Sequence, residues 1–187
     1  PAPIADERLP EAVTAPWVLP PVRDRLRAGR DEFLAELRPA YPLFVRFGGI
    51  DYDNDEQAVA KLDDFIRRVQ GILASYGGSL LHLTIGDKGA YLAAVFGAPL
   101  AHEDDAARAC AAALQLRELR DSTAVRDIQI GLTYGRLRSG TCGNRNRQAF
   151  TCFGDAVNLS ARLMTMAPQG HVYVAERTLP QVTRLPV

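Results

Sequence analysis

The sequence predicts an α+β domain with a βαββαβ core and extra αβ elements after it. Three observations lead there. The stretch 56–76 places apolar residues at three- and four-residue steps, the period of an amphipathic helix. A second helical stretch, 103–120, opens on three consecutive acids, which suit a helix N-terminus. Short apolar runs of strand length stand before, between and after these two.

Taken in order, residues 1–21 hold six of the twelve prolines and one aromatic, Trp17, and read as a linker without regular structure. A connecting helix is expected over 22–40. There Val22, Leu26, Phe33, Leu34 and Leu37 fall on one side, and Pro39 and Pro42 stop it. Residues 41–187 form the domain proper. Its first strand is Leu43 to Ile50. The long helix carries Val59, Leu62, Ile66, Val69, Leu73 and Tyr76 on one face and ends at Gly77-Gly78. Leu80 to Ile85 and Tyr91 to Phe96 are strands joined through Gly86-Asp87-Lys88-Gly89. The second helix leads to a strand over Ile128 to Tyr134. This order is the ferredoxin-like unit. After it come an arginine-bearing loop, a helix over Ala156 to Met166 and a strand over His171 to Ala175.

Composition narrows the function. Lysine plus arginine number 22, and aspartate plus glutamate number 22, so no basic excess supports bulk binding of nucleic acid. The apolar and charged fractions, 47% and 24%, are those of a soluble globular domain. The run Tyr91 to Ala101 is too short to span a bilayer, and no signal-peptide pattern opens the chain, so no membrane association is expected. Cys110, Cys142 and Cys152 are odd in number and lack metal-like spacing. They read as reduced thiols of a cytoplasmic protein. His82, His102 and His171 stand singly. The start at Pro1 reads as a piece of a longer polypeptide.

The segment that carries chemistry is Phe150-Thr151-Cys152-Phe153-Gly154-Asp155-Ala156-Val157-Asn158-Leu159-Ser160-Ala161-Arg162-Leu163. Asp155 is expected to cap the following helix. Asn158, Arg162 and Thr165 fall on one helical face. Between Ile128 and Gly154, Arg136, Arg138, Arg145 and Arg147 occur without an acid. That local charge suits a triphosphate or an acidic partner, or a solvated loop. Asp51-Tyr52-Asp53-Asn54-Asp55 alternates carboxylates like a calcium loop. Glu56 and Leu62 then stand where such a loop needs glycine and a bidentate glutamate, so it reads as an acidic loop and helix start.

The segment resembles the signature of class III nucleotidyl cyclases, in which Gly-Asp-x-Val-Asn-x-x-x-Arg follows a short strand. Thr84-Ile85-Gly86-Asp87, Val95-Phe96-Gly97-Ala98-Pro99, His102-Glu103-Asp104-Asp105-Ala106 and Ile130-Gly131-Leu132 match other stretches of that family in the right order. The resemblance covers about Leu43 to Thr178. It is closest to the second cyclase half of soluble, bicarbonate-responsive adenylyl cyclases and similar bacterial multidomain proteins. It implies the class III cyclase fold and conversion of ATP to cyclic AMP and pyrophosphate at a site shared between two halves. One half supplies two aspartates for magnesium or manganese, and the other supplies base-reading and transition-state residues. By this resemblance Asn158 orients the ribose, Arg162 stabilises the reacting phosphate, and Thr151 and Lys88 read the adenine.

The metal side departs from the pattern. Asp87 matches the second metal aspartate, but the first falls at Gly49. Asp51, on the same face of an extended strand, would lie about 6.6 Å further along. The chain therefore reads as the second half of a pair, inactive alone and completed by a metal-bearing partner half. The alternative is a non-catalytic relative that senses a nucleotide or bicarbonate or holds a partner domain. An RNA-binding ferredoxin-like domain is disfavoured, because no aromatic stacking pair marks the central strands. The family's later strands, with a phosphate-contacting lysine, are absent from the chain or lie beyond Val187.

Overall fold

A computed structural model describes residues 10–29, 36–86, 89–144 and 147–182. The elements are α1 (Glu11–Thr14), α2 (Pro20–Arg27), β1 (Glu36–Phe47), α3 (Ala58–Ser75), β2 (Ser79–Gly86), β3 (Gly89–Phe96) and α4 (Asp105–Ser122). They continue with β4 (Gln129–Leu132), β5 (Gly135–Asn144), β6 (Arg147–Phe153), α5 (Asp155–Met166), β7 (Val172–Val174) and α6 (Leu179–Val182).

Seven strands form one sheet. Its main path runs β2-β3-β1-β4-β7, with β5 on β1 and β6 on β5. The first four strands of that path are antiparallel neighbours, as the ferredoxin-like unit requires, and β4 and β7 are parallel. β1 serves two sections. Its residues 41–47 pair with β3 and residues 43–46 with β4, whereas residues 36–40 pair with β5. The β5–β6 hairpin therefore stands on β1 as an arm.

Alternation along β1 assigns the faces. Leu43, Val45 and Phe47 point toward α3 and α4, with Leu92 and Phe96 of β3 and Ile130 and Leu132 of β4. Phe65 and Val69 of α3 are fully buried there, and the Phe65 and Phe47 ring centroids lie 4.7 Å apart. From α4 come Leu116 and the alanines Ala109, Ala112 and Ala113, whose small side chains let the helix approach the sheet closely. Gly77-Gly78 ends α3 as expected, with the Gly78 N–H bonded to the Leu73 carbonyl at 2.7 Å. Val59, expected on the apolar face, lies in the first turn of α3 and is exposed.

Three expectations are corrected. The helix over 22–40 is two elements: α2 ends at Arg27, and residues 36–40 are strand. The helical spacing of Leu34 and Leu37 does not decide the conformation there, because pairing with β5 takes the backbone. Expected helix positions 30–35 lie outside the described residues. The proline-rich head also holds regular structure within residues 10–21, because Pro20 and Pro21 occupy the first positions of α2, where a missing N–H costs nothing. Finally, the arginine-bearing loop is the β5–β6 hairpin. Arg136-Leu137-Arg138-Ser139 carries the polar–buried alternation of a strand, with Leu137 and Ser139 buried.

Candidate functional site

The start of α5 follows β6 with only Gly154 between them. Gly154 is the N-cap, and Asp155 is the first helical residue. The expected side-chain cap by Asp155 is therefore absent, and its charge instead sits in the first turn, where the helix dipole favours it. The inward stripe of α5 is Ala156, Ser160 and Met164, all buried. Met164 packs on Phe44 and Ala93, on the sheet face opposite α3 and α4. Ser160 fixes the depth of the helix. Its fully buried hydroxyl lies 2.8 Å from both the Pro42 and Gly131 carbonyls and shares its one proton between them. A Cβ at position 131 would collide with the Ser160 carbonyl oxygen and the Met164 amide, so the close approach requires Gly131.

With that stripe held, the opposite side faces solvent. Asn158 and Arg162 are exposed, one turn apart at about 6 Å along the axis. Neither has a hydrogen-bond or ion-pair partner among the described residues. Thr165 continues the face, but its hydroxyl donates to the Ala161 carbonyl at 3.1 Å. Thr151 is half-buried on β6, opposite Gly140. The arm and α5 thus bring Thr151, Asn158 and Arg162 into one strand-turn-helix unit.

The β2–β3 hairpin closes with Gly86 opposite Gly89. Asp87 and Lys88, the expected metal and adenine residues, lie outside the described residues, as does Arg145. Beyond the end of β1, Gly49 has a φ of +94°, in the left-handed region. A Cβ there would stand 3.1 Å from both the amide nitrogen and Cγ of Arg126. The Arg126 N–H is bonded to the Gly48 carbonyl at 3.0 Å. Position 49 therefore lacks both a donor and the extended backbone that would aim one.

Asp51 is not on a strand, since β1 ends at Phe47. Its carboxylate accepts from the Asp53 and Asn54 amides, each at 3.1 Å, and from the Asn54 side chain. Those bonds, the Asn54 side chain foremost, hold its pKa below the ordinary carboxylate value. Asp55 is bonded to Lys61 at 2.6 Å and to the Gln57 amide at 2.9 Å, so the acidic run organises the entry to α3. Among the described residues, no three His, Cys, Asp or Glu side chains could hold a metal ion together. These residues do not fit a metal pair.

Of the other matching stretches, His102 to Asp105 is structural. The buried Asp105 carboxylate accepts from the His102 amide at 2.7 Å and lies 3.1 Å from Nδ1 of its ring, securing the start of α4. The sequence reading missed the outward face of the arm. Leu37, Arg138 and Phe153 are neighbours across β1, β5 and β6, and all three are exposed. The period-two pattern from Arg136 was the signal for it. His82, Phe44 and Tyr91 form a further aromatic group on the α5 side of the sheet. Partial desolvation lowers the His82 pKa.

The family described as the adenylate and guanylate cyclase catalytic domain matches residues 45–184. Human adenylate cyclase type 10 is 28% identical over 138 residues, 73% of this chain and 9% of that protein. The chain thus corresponds to a small part of the length of that relative. Two solved structures share the fold. The adenylyl cyclase CyaB of P. aeruginosa superposes with a TM-score of 0.70 at 19% identity, covering 81% of this chain and 83% of that one. The guanylate cyclase domain of RhGC from Catenaria anguillulae, in complex with GTP, gives 0.69 at 24%, covering 81% and 85%. Among the described residues, no helix is long and apolar enough to cross a membrane.

Proposed function

The chain belongs to the adenylate and guanylate cyclase catalytic domain family, and on that premise we propose that it is the second half of a paired adenylyl cyclase, inactive alone. The cyclase domain takes in residues 36–40, which belong to strand β1, and the segment before them leads into it. A metal-bearing partner half holds the magnesium or manganese. This half contributes Asn158 to orient the ribose, Arg162 to the charge on the reacting α-phosphate, and Thr151 and Lys88 to the adenine edge. In this reading Asp87 holds no metal. The ribose 3'-hydroxyl displaces pyrophosphate from the α-phosphate and closes the cyclic ester. A fixed guanidinium suits that step, because charge grows on the phosphate as the bond forms. A threonine hydroxyl can accept from the adenine amino group. The similarity to human adenylate cyclase type 10 supports ATP over GTP, and the free thiols of Cys110, Cys142 and Cys152 support a cytoplasmic location.

One contrast carries the reading. The helix α5 holds Asn158 and Arg162 outward and unpartnered, while position 49 is a left-handed glycine. A single half with one intact set of residues fits a shared site. The test is cyclic AMP production with magnesium or manganese, by the chain alone and after mixing with a metal-bearing half. No product alone and turnover in the mixture are expected. Turnover by the chain alone that disappears in Asn158→Ala would sink the half-site assignment. The loss at position 49 favours a second reading, a non-catalytic nucleotide or bicarbonate sensor. It wins if the mixture binds ATP and never turns it over.

A further inference from the structure

The segment that enters the domain is fastened to it by one polar cluster. In α2, Val22 and Arg25 stand three residues apart and share a face, and Val22 is buried. Arg25 donates to the Pro99 carbonyl at 3.2 Å and to Oε1 of Glu36 at 3.3 Å. Arg38 donates to the same carbonyl at 2.7 Å and lies 3.5 Å from Oε2 of Glu36. The four groups close a ring. Among the described residues, no other α2 side chain bonds to the domain, and Arg27 turns back to Glu11 of its own segment.

The ring joins three pieces of the fold. Glu36 and Arg38 lie in the part of β1 that pairs with the arm, Glu36 opposite Ser139 and Arg38 opposite Leu137. Pro99 follows β3. A Cβ at Gly97 would stand 3.1 Å from the Pro39 carbonyl oxygen, so that loop rests on the same stretch of β1. Ala40, on the strand face of Glu36 and Arg38, packs with Ala98, Leu137 and Cys152. Glu36 is the keystone, the one acid in the ring between two guanidinium groups that converge on one carbonyl. The Arg25, Glu36 and Arg38 side chains are 28%, 38% and 21% exposed, so water screens them only in part.

We propose that Arg25, Glu36 and Arg38 are positioning residues that couple α2 to the arm, so that the entering chain sets how firmly the arm and Thr151 on it are held. When Arg25 lets go, Glu36 and Arg38 lose a shared partner, and the strand that carries them holds β5 less firmly. The coupling stands apart from the cyclase assignment. Its consequence for base reading rests on the role proposed for Thr151.

Hydrogen exchange of the intact chain, followed by mass spectrometry, tests the coupling. Arg25 bonds to no residue of β5 or β6. Arg25→Met, which keeps an unbranched stem and removes the charge, should nevertheless speed exchange of the β5 and β6 amides about threefold and leave α3 and β3 as in the wild type. Glu36→Gln should do the same, and adding Arg25→Met to it should have little further effect, because the ring is already open. Sodium chloride at about 1 M should bring the wild type toward the variants. Faster exchange confined to α2, an equal rise in every element, or fully additive effects of the two substitutions overturns the proposal. In a reconstituted pair, Arg25→Met should raise the KM for ATP about threefold with kcat nearly unchanged, as loosening a ground-state contact does. Faster arm exchange with an unchanged KM keeps the coupling and removes Thr151 from the base site.

Discussion

The helix α5 and the exit of β1 solve opposite problems. α5 is held from beneath, by Ser160 on two carbonyls and by Gly131 letting the helix settle, and its outer side chains are left without partners. At the exit of β1 the backbone is held instead. Arg126 bonds to Gly48, Gly49 turns left-handed, and Asp51 is engaged by its own loop. One corner keeps its side chains available because a buried polar anchor positions them. The other is fixed by its backbone, so under the proposed function placing a side chain at Gly49 does not make a metal ligand of it.

The largest expected effect is at Arg162. In a reconstituted pair, Arg162→Ala should lower turnover about a hundred- to thousand-fold, roughly 2.7–4 kcal/mol, with a modest change in apparent ATP affinity. Steady-state kinetics on a mutant with an unchanged melting curve measures this. Normal turnover would make Arg162 an ordinary surface residue.

Next comes the anchor. Ser160→Ala removes the one buried proton shared by the Pro42 and Gly131 carbonyls and should cost about 1–3 kcal/mol in denaturant unfolding. It should also lower turnover, since Asn158 and Arg162 ride on the same helix. Unchanged stability would show that packing alone positions α5.

At the other corner, Gly49→Asp should not create a metal site. Its side chain must enter a left-handed conformation against Arg126, which costs about 1–2 kcal/mol. Calorimetric titration with manganese should show no new binding beyond that of the wild type. Tight binding by the variant would mean that only the side chain was missing.

The smallest effect separates the sheet face under α5 from both corners. Partial desolvation beside Phe44 and Tyr91 lowers the pKa of the exposed His82, so below its ordinary value near 6.5 the unfolded chain binds a proton that the folded chain resists. Stability should therefore fall as pH drops through 6.5 and level off below the folded pKa. Denaturant midpoints measured across that interval should show a slope that His82→Gln removes.

Sequence alone placed α3, α4 and α5, because each carries a helical stripe, an acidic start or a glycine stop. It placed β2, β3 and β4 for a related reason, since apolar runs of the right length leave little choice of conformation. It failed where pairing partners decide. Residues 36–40 carry a helix-like spacing and two nearby prolines, and only β5 makes them strand. Helix geometry put Asn158 and Arg162 on one face, and the exposed side of α5 bears this out. The backbone at Gly49 was not legible, because nothing in a Gly-Gly pair states which glycine turns left-handed or what pins it.

β1 has one more consequence, in the lengths that the chain can tolerate. Its twelve residues are in register with β3, β4 and β5. Removing one residue in its middle would flip every later side chain to the wrong face against two neighbours at once, or detach the arm from the third. Relatives should therefore vary in length at the hairpin ends and in the loop before α3, and scarcely at all within β1. A single uninterrupted strand sets the ruler for both the packed body and the arm that carries Thr151.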